Sequence, residues 1–422
     1  MRTHKWWISG LAIVAAAATM TFVRAEPGQG APQAGAPAAA PQGAGRGRGA
    51  STPPDANGEC PAGMTLVRVG NCQAPEFAPP SIVDYRPKST LVTDEHLVPK
   101  AKFPVIDLHG HPGALVTSAD GLKTLVGEMD KLNLRVMISA DESMGPALAT
   151  RVSAVAASGA NKDRVRMLTG INFSNVGPGW AAKEIARLEA DVKAGAIGIG
   201  EVSKAFGLFT KKPDGSRLKI DDPELDAFWD ACARLGMVAF IHTAEPPEFF
   251  SPLDMHNERW LELALFRDRR HYMPGDVAFK DLMTERDNLF RKHPKTKFVA
   301  AHFAWCAQDL KACSKLLDEF PNVSFEVGAV LYDFGRQPRA AREFFIKYQD
   351  RILFGKDAWA PAEYPYYWRV FETTDEYFDY YRNYHAFWKL YGMNLPDDVL
   401  KKLYYKNALK LMPGLPQDGW PK

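Results

Sequence analysis

Phe103-Pro104-Val105-Ile106-Asp107-Leu108-His109-Gly110-His111 is an apolar run that ends in two histidines one residue apart. On a β-strand, residues i and i+2 point to the same side, so His109 and His111 can face one cation without bending the backbone. Gly110 carries no side chain to block a close approach. Outward from this run the texture of the chain becomes regular. Short β-branched or apolar runs recur at 134–139, 165–171, 196–202, 237–242, 297–302, 323–330 and 351–355. Between them lie stretches of helical period, such as 121–129, 181–192, 223–232 and 340–348. Eight strands alternating with helices predict an α/β fold, a (β/α)8 TIM barrel. An open doubly wound sheet is the competitor, but no G-x-G-x-x-G follows the first strand.

Two stretches exceed a minimal barrel. Residues 246–292 follow the fifth strand and 358–395 follow the eighth, the latter dense in Tyr, Trp and Phe. Loops that follow strands lie on the catalytic face of such a barrel, so both are expected to wall or lid a site. Packing of helices is the alternative explanation for the second.

The 422 residues carry a formal net charge of +2, and 46% of them are hydrophobic. That near-balance of charge argues against nucleic acid as a partner. Residues 1–25 read as a secretory signal, with a basic start, an apolar stretch and a small-residue end at Val23-Arg24-Ala25. Residues 26–58 are rich in Ala, Gly, Pro and Gln and are expected to form a disordered linker. An extension over 59–100 then precedes the barrel domain at 101–415. The protein is accordingly expected to be exported, periplasmic or secreted, with no stable membrane span after signal cleavage. Cys60 and Cys72 are expected to close a short disulfide loop in an oxidising compartment. Cys232, Cys306 and Cys313 fall on predicted helices and read as buried small hydrophobes, since none has C-x-x-C spacing.

Three further strand ends carry chemistry: His242 after Met237-Val-Ala-Phe-Ile, His302 after Lys297-Phe-Val-Ala-Ala, and Asp357 after Arg351-Ile-Leu-Phe-Gly-Lys. The carboxyl ends of barrel strands converge on one mouth, where residues distant in sequence can share an ion. Nitrogen and oxygen donors of this kind suit one divalent metal, Zn²⁺ first, with Fe²⁺ or Mn²⁺ as alternatives. Such a cation lowers the pKa of water from roughly 16 to about 7 and polarises a carbonyl oxygen. Asp357 or His302 is placed to take and return the proton.

These residues resemble the amidohydrolase superfamily, in its amidohydrolase-related branch with aminocarboxymuconate-semialdehyde decarboxylase-like enzymes. The resemblance rests on Asp107-Leu-His-Gly-His, Ile241-His-Thr-Ala-Glu-Pro, Ala301-His-Phe-Ala-Trp, Arg351-Ile-Leu-Phe-Gly-Lys-Asp and Leu403-Tyr-Tyr-Lys-Asn-Ala-Leu-Lys-Leu. It implies that His109, His111, His242 and Asp357 ligate one metal, and that His302 lies close by as an acid/base or polarising group. Lys356 departs from the small polar residue usual before the strand-eight Asp; alternation should aim it away from Asp357. Glu201, on the fourth strand, could bridge a second metal as in two-metal relatives, or act as a supporting carboxylate. Lys204, Arg259 and Arg336 are candidate contacts for an anionic substrate, and Trp305 for shaping the pocket. Asp107 should support the site from below, while Asp141 and Glu142 stay without a role. The leading expectation is a metal-dependent hydrolase of an amide, ester or lactone bond in a small molecule. A non-oxidative decarboxylase of an unsaturated or aromatic acid is the alternative, and a homodimer is a family-level expectation.

Overall fold

All eight apolar runs become strands, and every one of them is parallel to its neighbours. The computed structural model describes residues 52–78 and 80–421. The expected signal segment and the linker up to residue 51 lie outside the described residues. Two compact units divide after Pro80. In the first, Thr65–Arg68 and Asn71–Gln73 form an antiparallel hairpin, and Cys60 is bonded to Cys72 across a Cα separation of 5.6 Å.

The second unit holds the barrel. Its strands are β1 (Val105–His111), β2 (Leu134–Ser143), β3 (Val165–Thr169), β4 (Ala196–Val202), β5 (Val238–Ile241), β6 (Lys297–Ala300) and β7 (Val323–Glu326). The eighth stave is split into β8 (Ile352–Leu353) and β9 (Asp357–Ala358). β8 pairs with β7, whereas β9 pairs with β1, so this last stave closes the cylinder. Closure pairs both ends of the sheet through this stave.

Helices cover the outside because their sequences supply one apolar stripe each. Ala119–Leu132 buries Leu122, Leu125, Val126, Met129 and Leu132, the i, i+3, i+4 spacing of a single helix face. Ser118 caps it by accepting from Gly121 N at 3.1 Å, and Asn133 ends it in the left-handed region at φ 64°. The segment after β5 holds the short helix Trp260–Leu265 before the long helix Phe279–Lys292. After β9, the helix Tyr364–Glu372 buries Tyr364, Tyr367 and Trp368 completely. No helix of the described residues is long and apolar enough to cross a membrane.

One reading of the cysteines is corrected. Cys306 and Cys313 are not separate thiols on helices but are bonded to each other, with Cα atoms 5.5 Å apart. Cys313 does sit on the helix Leu310–Glu319, but Cys306 follows a turn rather than a helix. The backbone from His302 to Trp305 is left-handed, with φ of 52°, 55°, 55° and 50°. That turn brings Cys306 back onto the helix. Cys232 alone remains a buried free thiol among the described residues.

Candidate metal centre

Strand register determines which side chains meet. Asp357 of β9 lies opposite Gly110 of β1, between the two histidines. Val202 lies opposite Ile241, which sets Glu201 of β4 beside His242, the residue after β5. His302 enters from the left-handed turn after β6, with its ring centroid 4.3 Å from that of His242.

Glu201 is the hub. Its Oε2 lies 3.1 Å from His109 Nε2 and 3.4 Å from His111 Nε2, while its Oε1 lies 2.7 Å from His242 Nδ1 and 3.3 Å from His302 Nε2. Asp357 Oδ1 closes the first side, 3.8 Å from His109 Nε2 and 3.7 Å from His111 Nε2. Three sets of donors lie close enough to hold an ion, His109, His111 and Asp357, then Glu201, His242 and His302, and behind them His109, His302 and Glu326. The histidines of the first two sets face different oxygens of Glu201. His242 lies with Glu201 and His302, and Glu201 links it to the strand-one pair. His302 shares that set, as a donor in its own right.

The imidazoles are braced from behind. His109 Nδ1 lies 3.2 Å from Glu326 Oε2, His111 Nδ1 lies 3.4 Å from Asp141 Oδ1, and His302 Nδ1 lies 3.0 Å from the Gly328 carbonyl. Carboxylates and carbonyls only accept, so each Nδ1 must carry the hydrogen and donate. The Nε2 lone pair of each ring is then turned into the cluster. His242 is held the other way round, with Nδ1 inward and Glu245 Oε2 standing 3.8 Å from Nε2. Partners that fix the tautomer and orientation of ligating histidines are the usual outer layer of a metal site.

A cation fits this arrangement. His109 Nε2 is fully buried and has no hydrogen-bond partner among the described residues, although a carboxylate oxygen stands 3.1 Å away. A lone pair facing a carboxylate at that distance is repulsive unless a positive charge lies between them. The electrostatics of the side chains agree. Burial alone would lower the His111 and His242 pKa values, but the carboxylates against them lift both to about 9. His109 is likewise raised well above its ordinary value, by Glu201 and Glu326 against the effect of burial. Glu201 is driven well below the ordinary carboxylate range, since His109 and His242 outweigh its desolvation. Asp357 is lowered by His109 and His302 in the same way. The pocket is built to gather positive charge.

Of the other candidates, Trp305 belongs to the site, stacked at 4.6 Å on the His302 ring. Lys204 lies at the rim, its ammonium bonded to Glu245, which burial opposes but His242 and Lys204 together hold down at about 2. Arg259 and Arg336 are not brought to the cluster. Arg259 is only 2% exposed, and its guanidinium is engaged by Glu262, Tyr332 and His385. Arg336 pairs with Glu258 at 2.9 Å and with Asp333 at 2.7 Å. Asp107 supports from below, accepting from His109 N at 3.0 Å, Lys356 N at 3.2 Å and the Tyr364 hydroxyl at 2.6 Å. Lys356 points away from Asp357, its ammonium donating to Glu363 and to the Ala358 carbonyl.

Glu326 and Glu245 were not foreseen. Glu326 is fully buried and receives His302 N at 3.1 Å as well as the His109 ring. Its only trace in the sequence is an acid ending the run Val323-Ser-Phe-Glu. Asp141, first left without a role, is the brace of His111 and is itself held by Arg151 at 3.0 Å.

Similarities to known proteins identify the family. A family model described as amidohydrolase matches residues 152–413, more than half of the chain, beginning after the strand-one histidines. No curated protein matches the chain. Among solved structures, it is similar to an uncharacterised TIM-barrel protein from Bordetella bronchiseptica, with 14% identity, covering 73% of this chain and 98% of that one, at a TM-score of 0.45. A 2,6-dihydroxybenzoate decarboxylase from Rhizobium gives 15% identity, 73% and 98% coverage and a TM-score of 0.44. A 5-carboxyvanillate decarboxylase from Novosphingobium aromaticivorans, solved with manganese, gives 14%, 75% and 99%, and 0.44. With its family-model match, its closed parallel barrel and its converging histidines, this chain belongs to the amidohydrolase family.

Proposed function

We propose that the protein is a metal-dependent hydrolase of a small molecule, cleaving an amide, ester or lactone bond, in which two groups of donors that meet at Glu201 would each hold a divalent ion. The observation that carries this reading is the split of one carboxylate between two groups of donors, His109 and His111 on Oε2, with Asp357 beside these two rings, and His242 and His302 on Oε1. When bound, paired divalent ions supply Lewis acidity and activate water at neutral pH. Zn²⁺ suits the donor set best.

The protein's own residues do the rest. Asp357 is the most open acid of the hub, with its side chain 32% exposed. It takes a proton from the attacking water and returns it to the departing nitrogen or oxygen. Glu326 and the Gly328 carbonyl hold the His109 and His302 rings in one orientation, so no reorganisation is needed during the reaction. Trp305 covers the His302 face and keeps bulk water from it. The segments after β5 and β9 wall the mouth. Export is part of the same proposal, supported by the two bonded cysteine pairs.

The test is an assay of the metal-loaded protein on lactones, esters, amides and unsaturated or aromatic acids, with detection of CO₂. Hydrolysis that disappears in Asp357→Asn supports the proposal. Release of CO₂ without hydrolysis would transfer the protein to the decarboxylase reading.

A further inference from the structure

The segments that follow β4 and β5 enclose a second space beyond the histidines. It is a cavity of about 410 Å³ lined by Leu208, Phe209, Lys211, Arg217, His271 and Val277. That volume falls within the roughly 300–1,000 Å³ typical of small-molecule pockets. Its apolar wall is substantial. Phe209 is 54% exposed, with its ring 5.6 Å from that of His271, and Phe250 packs 5.2 Å from the same imidazole.

Its polar groups are of two kinds. Arg217 is already engaged, by Glu285 at 2.9 Å and the Gly207 carbonyl at 2.8 Å. Asp276, also on the wall, accepts from Met273 N at 2.7 Å within its own turn. Two groups are left over. His271 is only 6% exposed, yet its Nε2 has no hydrogen-bond partner among the described residues. Lys211 is exposed, and no partner of its ammonium occurs among the described residues. A buried ring nitrogen without a partner costs free energy that a ligand's hydrogen bond would recover. Burial holds the His271 imidazole below its ordinary pKa, so it offers a hydrogen bond rather than a charge.

The cavity adjoins the proposed active site. Phe209 ends the short turn Ala205–Leu208 that follows Lys204, and His271 N donates to the Phe249 carbonyl, four residues beyond Glu245, which itself stands 3.8 Å from His242. Lys204 and Glu245, bonded to each other, thus tie together the two chain segments that line both spaces. We propose that this cavity is the subsite for the distal part of the substrate: a flat apolar body against Phe209, a polar atom bonded to His271 Nε2, and a carboxylate paired with Lys211. Only the word substrate rests on the hydrolase reading; the pocket and its preference for an aryl or alkyl carboxylate do not.

Binding of 4-fluorophenylacetate to the full chain, followed by fluorine NMR, tests this on metal-loaded and metal-stripped protein alike. Saturable binding is expected in both states. Lys211→Ala and Phe209→Ala should each weaken it at least tenfold, and Lys211→Arg should retain most of it. Both positions are exposed, so folding is not at risk. His109→Ala should bind the probe as tightly as the wild type while losing metal. Absence of saturable binding, or binding indifferent to Lys211 and Phe209, would overturn the subsite. Binding that vanishes when metal is stripped would also overturn it, by placing the carboxylate on the ions. Probe binding without any hydrolytic activity would leave the subsite standing and defeat the hydrolase.

Discussion

A carboxylate can only accept, and this single rule makes Glu326 decisive although it touches no reacting atom. It forces the hydrogen of His109 onto Nδ1 and frees Nε2 to ligate. Glu326→Gln keeps the shape and removes that compulsion. Metal affinity in competition with a chelator should then fall about 10–100-fold, with an unchanged circular dichroism spectrum; unchanged affinity would refute the brace. Proton competition follows from the same residues. His111 and His242, free of metal, hold protons up to about pH 9. An incoming ion must displace them, so apparent affinity should rise with pH towards that value and fall below it. Calorimetry in two buffers of different ionisation enthalpy should show protons released on binding at pH 7.5. Equal heats in the two buffers would contradict the picture.

Among the elements, the turn from His302 to Cys306 is the one that sequence periodicity misread. Four successive left-handed residues cost roughly 1–2 kcal/mol each, and a pattern of apolar residues carries no sign of them. The disulfide to Cys313 closes this turn, while Glu326 and Gly328 bond its first residue. Cys313→Ser should cost about 2–3 kcal/mol in urea denaturation and lower metal retention, because His302 rides on the turn. Stability lost with metal retained in full would separate the turn from the site. The strands themselves were legible, since β-branched runs bounded by polar helices admit few other readings. That these side chains would meet was legible for the same reason: strand ends converge, so His109, His111, His242, His302 and Asp357 could be placed at one mouth from their positions. The braces were not. Nothing in Val323-Ser-Phe-Glu tells that Glu326 reaches across the barrel to His109, 217 residues away.

For the whole molecule, closure of the cylinder through the split eighth stave brings Asp357 to the strand-one pair. The segments beyond the barrel are knit by a different device. Arg259 joins three of them, bonding Glu262 in its own segment, Tyr332 after β7 and His385 after β9. Sequence alone offered Arg259 as a substrate clamp, since burial cannot be seen there. Removing one member of a fully buried charged network leaves the others unpaired, so Arg259→Ala should destabilise by about 3–5 kcal/mol. Arg234→Ala, at an exposed pair with Glu189, should cost far less. Denaturant midpoints would show the difference, and equal losses would contradict the assignment. The central claim is that Glu201 stands between two ions. Elemental analysis of the purified protein tests it directly. Two divalent ions per chain are predicted for the wild type and about one for His302→Ala. One ion in the wild type, unchanged in His302→Ala, would contradict it.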